Sequence, residues 1–304
     1  MTTPAPVWFR TAIAQPVTSH YVEVDGCPIH YLLWQPETSV AAPRGLLFVH
    51  GGGAHANWWR FIAPFLTRAF RVAAIDFSGM GDSGERTAYT AEHRVDEMRA
   101  VLAHADLGPQ PFVVGHSYGG YMLMRLGALY GAELGGAVIV DSPVCSPEAI
   151  VDMPPPHAVE RVRCYDRFED GLARFRLLPG QPCDNDFIVE FIGRHSLKEV
   201  AGGWTWKFGL GTMTAERLEV LYNRDLIRMG SRTALIYGQH SALVSPETAA
   251  YMSAQLGPEV PIIEIPEAHH HVMLDQPLGF VSALRTLLDL WARADARPAL
   301  GGGD

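Results

Sequence analysis

Ser117 stands at the centre of Gly115-His116-Ser117-Tyr118-Gly119, behind the apolar run Phe112–Val114 and ahead of a helically spaced stretch from Tyr121. A serine between glycines at a strand-to-helix turn has its hydroxyl pushed clear of the backbone, where it can act as a nucleophile. The glycines answer a steric demand, since only residues without a Cβ let strand and helix approach at so sharp a turn. Gly120 adds a third small residue. A bare hydroxyl is a poor nucleophile, so a base and a group to orient that base must come from elsewhere in the chain. His269, His270 and His271 are the candidates for the base, between the run Ile262–Ile265 and Met273-Leu274-Asp275-Gln276-Pro277. Three imidazoles also suggest a metal. Alternate residues of an extended segment face opposite ways, however, and no carboxylate or thiolate stands at ligand-like spacing. We therefore expect no metal and no cofactor.

Acyl chemistry also needs donors for a developing oxyanion. His50-Gly51-Gly52-Gly53 follows the run Gly45–Val49 and matches an H-G-G-G motif whose bare N–H groups point at a common spot. The N–H of Gly52, paired with that of Tyr118, is the expected hole, with Gly51 or Gly53 able to replace Gly52. His50 itself reads as structural. Gly79-Met80-Gly81-Asp82-Ser83-Gly84 satisfies G-x-G-x-x-G. A dinucleotide site would need a helix opening at its third glycine and an acid at the next strand's end. Glu85–Tyr89 reads instead as loop, and the next strand ends in Gly115-His116-Ser117.

Elements that could hold these residues recur along the chain. Strands are expected at His20–Val24, Ile29–Trp34, Gly45–Val49, Val72–Asp76, Phe112–Gly115, Ala137–Asp141, Ala234–Tyr237 and Ile262–Ile265, the first two forming a hairpin around Asp25-Gly26. Helical periodicity falls between them, at Arg60–Thr67, Ala91–His104, Tyr121–Leu129, Pro246–Leu256 and Phe280–Ala294. Runs apolar throughout, alternating with helices, predict an α/β fold on a mainly parallel sheet. Residues 144–229 break the rhythm: no strand is evident, while aromatics and Pro154-Pro155-Pro156 are dense. We read 144–229 as a mostly helical insertion, 1–143 with 230–296 as the core, and 297–304 as a disordered tail.

Composition narrows the partners. The 304 residues carry 24 Lys and Arg against 33 Asp and Glu, a net charge of −9, which disfavours a nucleic-acid surface. No apolar run approaches the roughly 20 residues of a membrane span, and residues 1–16 lack the apolar block of a secretory signal. Cys27, Cys145, Cys164 and Cys183 are widely spaced and read as free thiols, so a cytoplasmic protein is expected.

His50–Gly53, the Asp76–Ser83 segment, Gly115–Gly119 and the His270 segment ending in Leu274-Asp275-Gln276-Pro277 together resemble the α/β-hydrolase superfamily over residues 18–296. In that family the catalytic histidine commonly stands five residues before an acidic residue, which selects His270 through Asp275. The resemblance also implies that 144–229 caps the site. The commonest family position for the acid is empty here, because Ala234–Tyr237 leads into Gly238-Gln239-His240-Ser241. Some branches of the superfamily, including haloalkane-dehalogenase-like members, take the acid from an earlier strand. Asp141, 24 residues beyond Ser117, fits that place. Glu247 and Asp275 are the alternatives, although Ser245-Pro246-Glu247 reads as a helix start. The resemblance thus implies a triad of Ser117, Asp141 and His270 acting on a small-molecule ester or lactone with water. Carbon–carbon hydrolysis and a non-turnover ligand receptor are the other readings. In the insertion, Trp204 and Trp206 are expected to line the substrate pocket with Gly53, or else to fasten insertion to core. Trp58-Trp59 reads either as pocket lining or as a staple of helix to sheet, and Arg174, Arg176, Arg194 and His195 either receive a carboxylate substrate or, the favoured reading, are solvated surface charge.

Overall fold

In the computed structural model, residues 4–36, 43–146, 163–209, 212 and 223–296 are described. Eleven strands are named in chain order: β1 Thr18–Val24, β2 Cys27–Trp34, β3 Arg44–Val49, β4 Phe70–Ile75, β5 Phe112–His116, β6 Gly136–Val140, β7 Cys164–Tyr165, β8 Leu197–Val200, β9 Gly203–Trp206, β10 Thr233–Gly238 and β11 Ile262–Ile265. Eight of them form one sheet in the order β1-β2-β4-β3-β5-β6-β10-β11. The pairs from β4 to β11 are parallel, and β1–β2 and β2–β4 are antiparallel. Strands β3, β5, β6 and β10 are buried along nearly their whole length, as their unbroken apolar runs require.

The helices named among the described residues are α1 Val7–Ile13, α2 Ala91–His104, α3 Tyr118–Tyr130, α4 Phe168–Leu172, α5 Asp186–His195, α6 Pro246–Leu256, α7 Val272–Asp275 and α8 Pro277–Ala296. The two-residue alternation of side chains sorts the sheet into two cores. Phe48, Val72, Val114 and Val140 meet Phe280, Leu284 and Leu288 of α8 on one face. Leu47, Ala73, Val113 and Ile139 meet Val95 and Met98 of α2 and Met122 and Leu126 of α3 on the other. The expected strands all form, with ends shifted by at most two residues.

Two expectations are corrected. Arg60–Thr67 is not an α-helix but a run of turns with a short 3-10 segment at Ala63–Phe65. Pro64 lacks the N–H that an interior helical residue must donate. The stretch between β6 and β10 is not strand-free either: alongside α4 and α5 it holds an antiparallel sheet in the order β7-β9-β8. These strands are short and half-exposed, so they lack the apolar run that marked the others. Their signal was the Gly202-Gly203 pair, whose φ values of +94° and +138° make the turn between β8 and β9. Helix α1 carried no cap or periodic signal long enough to be read. Pro154-Pro155-Pro156 and the 297–304 tail lie outside the described residues. Among the described residues no helix is long and apolar enough to cross a membrane.

Candidate active site

Parallel strands end on one edge of the sheet, and the loops that follow β3, β5, β6 and β11 bring the candidate residues together there. Ser117 sits between β5 and α3 at φ +52°, ψ −120°, a backbone conformation costly for any residue with a Cβ. The glycines around it are where a side chain would collide. A Cβ on Gly115 would lie 2.4 Å from the Gly119 carbonyl oxygen, one on Gly119 2.5 Å from that of His50, and one on Gly120 2.0 Å from Ser142 Oγ. The turn is closed further by Ser142, whose hydroxyl donates to the Ser117 carbonyl at 2.8 Å.

His270 Nε2 lies 3.0 Å from Ser117 Oγ, and its Nδ1 lies 2.7 Å from Asp141 Oδ1. Both His270 and Asp141 are buried, while Ser117 is half-buried. Asp141 follows β6 with φ +47°. Its carboxylate accepts from the Gly238 N–H at 3.0 Å and from the Ser241 hydroxyl at 2.7 Å. The β10 end, where the commonest family pattern would place an acid, thus supplies donors to the acid of the neighbouring strand. Gly238 must lack a side chain for this, since a Cβ there would stand 2.3 Å from the His269 carbonyl oxygen.

The three consecutive histidines take three directions. His269 turns to Asp275, through its N–H at 2.7 Å and its Nδ1 at 3.1 Å. His271 packs its ring on Trp58 and on His270, with centroids 5.2 and 4.8 Å away. Opposite-facing neighbours were expected from an extended segment; His271 instead caps α7, and the bend turns its ring toward His270. His116 Nε2 carries a proton and donates it to the His270 carbonyl oxygen at 3.0 Å, since a carbonyl only accepts. Burial, then the neighbouring imidazoles, push His116 well below the usual histidine range, and burial with His270 does the same to His271. Glu247 lies exposed in the first turn of α6, whose N-cap Ser245 accepts from the Thr248 N–H, and Asp275 is taken up by His269 and Gln181.

Tyr118 is the first residue of α3, so its N–H has no acceptor within the helix. Gly51 brings the opposing turn close: a Cβ on it would be 3.3 Å from Ser117 Cβ. His50 accepts from the Phe77 N–H through Nε2 and therefore donates from Nδ1 to the Gly51 carbonyl, which makes it a neutral brace for this turn. Gly53, at φ +67°, faces Phe208: a Cβ on it would lie 3.9 Å from the phenylalanine ring. The Phe208 segment is fastened by backbone bonds, Gly81 N–H to the Lys207 carbonyl at 2.7 Å and Gly209 N–H to the Gly79 carbonyl at 2.9 Å.

Trp204 and Trp206 make their ring contacts within the segment between β6 and β10, Trp204 with Phe168 at 5.0 Å and Trp206 with Tyr165 and Phe175 at 5.8 and 6.2 Å. Phe208, two residues on, is the aromatic that reaches the glycine turn. Trp58 lies against the imidazoles and Trp59 stacks on Phe48 in the core. Arg194 pairs with Glu190 in solvent.

The G-x-G-x-x-G look-alike has a structural occupation. Asp76, fully buried, receives His30 Nδ1 at 2.7 Å and the N–H groups of Ala56 and Asp82 at 2.5 and 2.9 Å. Burial raises its pKa, but the bond to His30 prevails and holds it at about 2. A Cβ on Gly81 would strike this carboxylate at 2.1 Å, so the loop wraps an acid rather than a phosphate. Among the described residues, two groups have ligand atoms close enough to consider a metal, His116 with His270 and His271, and His30 with Asp76 and Asp82. In each, the bonds just described engage central members of the set. Ser142, Ser241 and Gln181 escaped the sequence reading, because a serine or a glutamine far along the chain carries no local sign of its partner.

Residues 46–284 match the model of the alpha/beta hydrolase family. The chain is 26% identical over 282 residues to the 2-hydroxy-6-oxo-6-(2'-aminophenyl)hexa-2,4-dienoic acid hydrolase of Metapseudomonas resinovorans, covering 90% of this chain and 91% of that one. It is 24% identical over 253 residues to lipase LipV of Mycobacterium tuberculosis, covering 82% and 94%. The crystal structure of E-2-(acetamidomethylene)succinate hydrolase shares the fold, with a TM-score of 0.75 at 20% identity over 90% of this chain and all of that one. A family match of this extent, on a parallel sheet carrying a serine at a strained strand–helix turn, leads to one conclusion: the chain belongs to the alpha/beta hydrolase family.

Proposed function

We propose that the protein is a cofactor-independent serine hydrolase that cleaves a carboxylic ester or a lactone through an acyl-enzyme. The observation that carries this reading is the continuous relay from Ser117 Oγ through His270 to Asp141, at 3.0 and 2.7 Å. Ser117 Oγ attacks the substrate carbonyl carbon as its proton passes to His270 Nε2. Asp141 keeps the His270 proton on Nδ1, so that Nε2 is free to accept, and stabilises the imidazolium without taking its proton. His116 and His271, held neutral by burial, put no like charge beside that imidazolium. The tetrahedral oxyanion rests on the N–H groups of Gly52 and Tyr118, each donor contributing about 3 kcal/mol to the transition state. Collapse expels the alcohol, which takes the proton from His270; water then repeats the sequence on the acyl-enzyme and restores Ser117.

The segment between β6 and β10 acts as the cap. Phe208, over Gly53, bounds the pocket, and Trp204 and Trp206 stiffen that wall through Phe168 and Phe175. A second reading, carbon–carbon hydrolysis of a dienoic keto acid, uses the same residues and is favoured by the similarity to the Metapseudomonas enzyme.

The test is the initial rate on p-nitrophenyl esters from acetate to palmitate, on several lactones and on a 2-hydroxy-6-oxo-dienoic acid. Ester or lactone turnover that falls at least about a thousandfold in Ser117→Ala is expected. Turnover of the dienoic acid alone would move the assignment to carbon–carbon cleavage. No turnover by folded protein would leave either a hydrolase with a narrow substrate outside the panel or a ligand receptor on a hydrolase scaffold.

A further inference from the structure

The backbone on both sides of His270 is held by side chains, and one of them comes from the other side of the site. The N–H of His269 donates to Asp275 Oδ2 at 2.7 Å. The carbonyl of His270 accepts from His116 at 3.0 Å. The N–H of His271 donates to Gln181 Oε1 at 2.8 Å. Gln181 belongs to the segment read above as the cap, ahead of α5. Its amide nitrogen donates to both oxygens of Asp275, at 3.0 and 2.9 Å. One side chain therefore spans the loop on either side of the base, with its oxygen and nitrogen placed by partners that can only donate and only accept. Asn185, four residues on, adds bonds from its amide to the Leu274 and Asp275 carbonyls at 2.7 and 3.0 Å.

We propose that Gln181 is a positioning residue for His270: by bridging the His271 N–H and the Asp275 carboxylate, it makes the placement of the base depend on the docking of the cap. The inference rests on the assignment of His270 as the base. Without Gln181, the His271 N–H and one side of the Asp275 carboxylate lose their partners, and the loop has one fewer fixed point within two residues of the reacting nitrogen. A shift of about 1 Å in a catalytic group can cost on the order of a hundredfold in rate. The loss falls on the chemical step, because Gln181 is bonded to the loop and not to the carbonyl under attack.

The experiment compares wild type with Gln181→Met, which keeps the length of the side chain and removes all three of its hydrogen bonds. Two quantities are read. The first is the low-field proton resonance of His270 Nδ1–H, which reports its bond to Asp141 and needs no substrate. The second is kcat and KM on the p-nitrophenyl ester that wild type turns over fastest. The expected result is a resonance broadened or lost to solvent exchange, with kcat down roughly ten- to hundredfold and KM within about twofold. A wild-type resonance with wild-type kcat would overturn the proposal, as would a raised KM at unchanged kcat, which would make Gln181 a contributor to substrate fit alone. Gln181→Glu is the second variant, should the first fail to fold. It keeps an acceptor for His271 but sets a carboxylate against Asp275, and it should show the same loss at neutral pH; wild-type behaviour would overturn the proposal. If wild type cleaves no ester, the ester assignment fails while the resonance still decides the role of Gln181.

Discussion

Both oxygens of the Asp141 carboxylate are committed, one to the Gly238 N–H and the other to His270 and the Ser241 hydroxyl. An asparagine there has to place its oxygen toward Gly238, which can only donate. Its NH2 then meets His270 Nδ1, which must accept, and the proton is driven to Nε2, where it blocks transfer from Ser117. Asp141→Asn is therefore expected to lower kcat by about 10⁴ while the protein stays folded. Steady-state kinetics alongside a thermal melt check this, and near-normal kcat would remove Asp141 from the mechanism. Ser117 and its glycines were legible in the sequence because their constraint is local: a turn, a clash, a spacing. Ser241 was not, because it lies 100 residues from the acid it serves, and a hydroxyl in a loop looks the same whether or not it has such a partner.

At the scale of elements, the short helix α1 joins parts of the chain that nothing in its sequence links. Phe9, only 3% exposed, sets its ring against Phe61 at 5.8 Å and against Phe187 and Phe191 of α5 at 4.9 and 5.7 Å. Phe9→Ala would empty the middle of this aromatic cluster and is expected to destabilise the protein by about 3–5 kcal/mol. Urea unfolding measures the loss, and faster amide exchange across residues 186–195 would locate it at α5; a change under about 1 kcal/mol would show that the cluster collapses around the gap. The central strands could be read because double-sided burial writes an apolar run into each. Helix α1 and the β7-β9-β8 sheet could not, since each is short, and its stability comes from what it packs against rather than from its own periodicity.

For the whole molecule, the sheet edge gathers four imidazoles that are kept neutral. Burial, ahead of all other causes, lowers His50, His55, His116 and His271, His55 to about 3. An unfolded chain binds a proton at each near pH 6.5, while the native state refuses it, so below that pH the unfolded state holds more protons. Stability is thus fully present above about pH 6.5 and is lost as pH falls toward the native values, by as much as about 1.4 kcal/mol per pH unit for each imidazole. The urea midpoint should fall between pH 7.5 and 5.5, and His55→Gln should make that fall shallower by one proton's share; a flat profile would mean that these rings are not neutral in the native state. The overall architecture was legible from strand–helix alternation. The closeness of these rings was not, because it arises where separate loops meet above the sheet.

The bonds that fasten Lys207 and Gly209 to Gly79 and Gly81 join main chain to main chain. They make no demand on which side chains stand at 204, 206 or 208, provided the two glycines stay. On the function proposed above, the wall of the pocket can therefore be rewritten by substitution while its frame stays moored, which makes this strip a natural place to randomise when a new substrate is wanted.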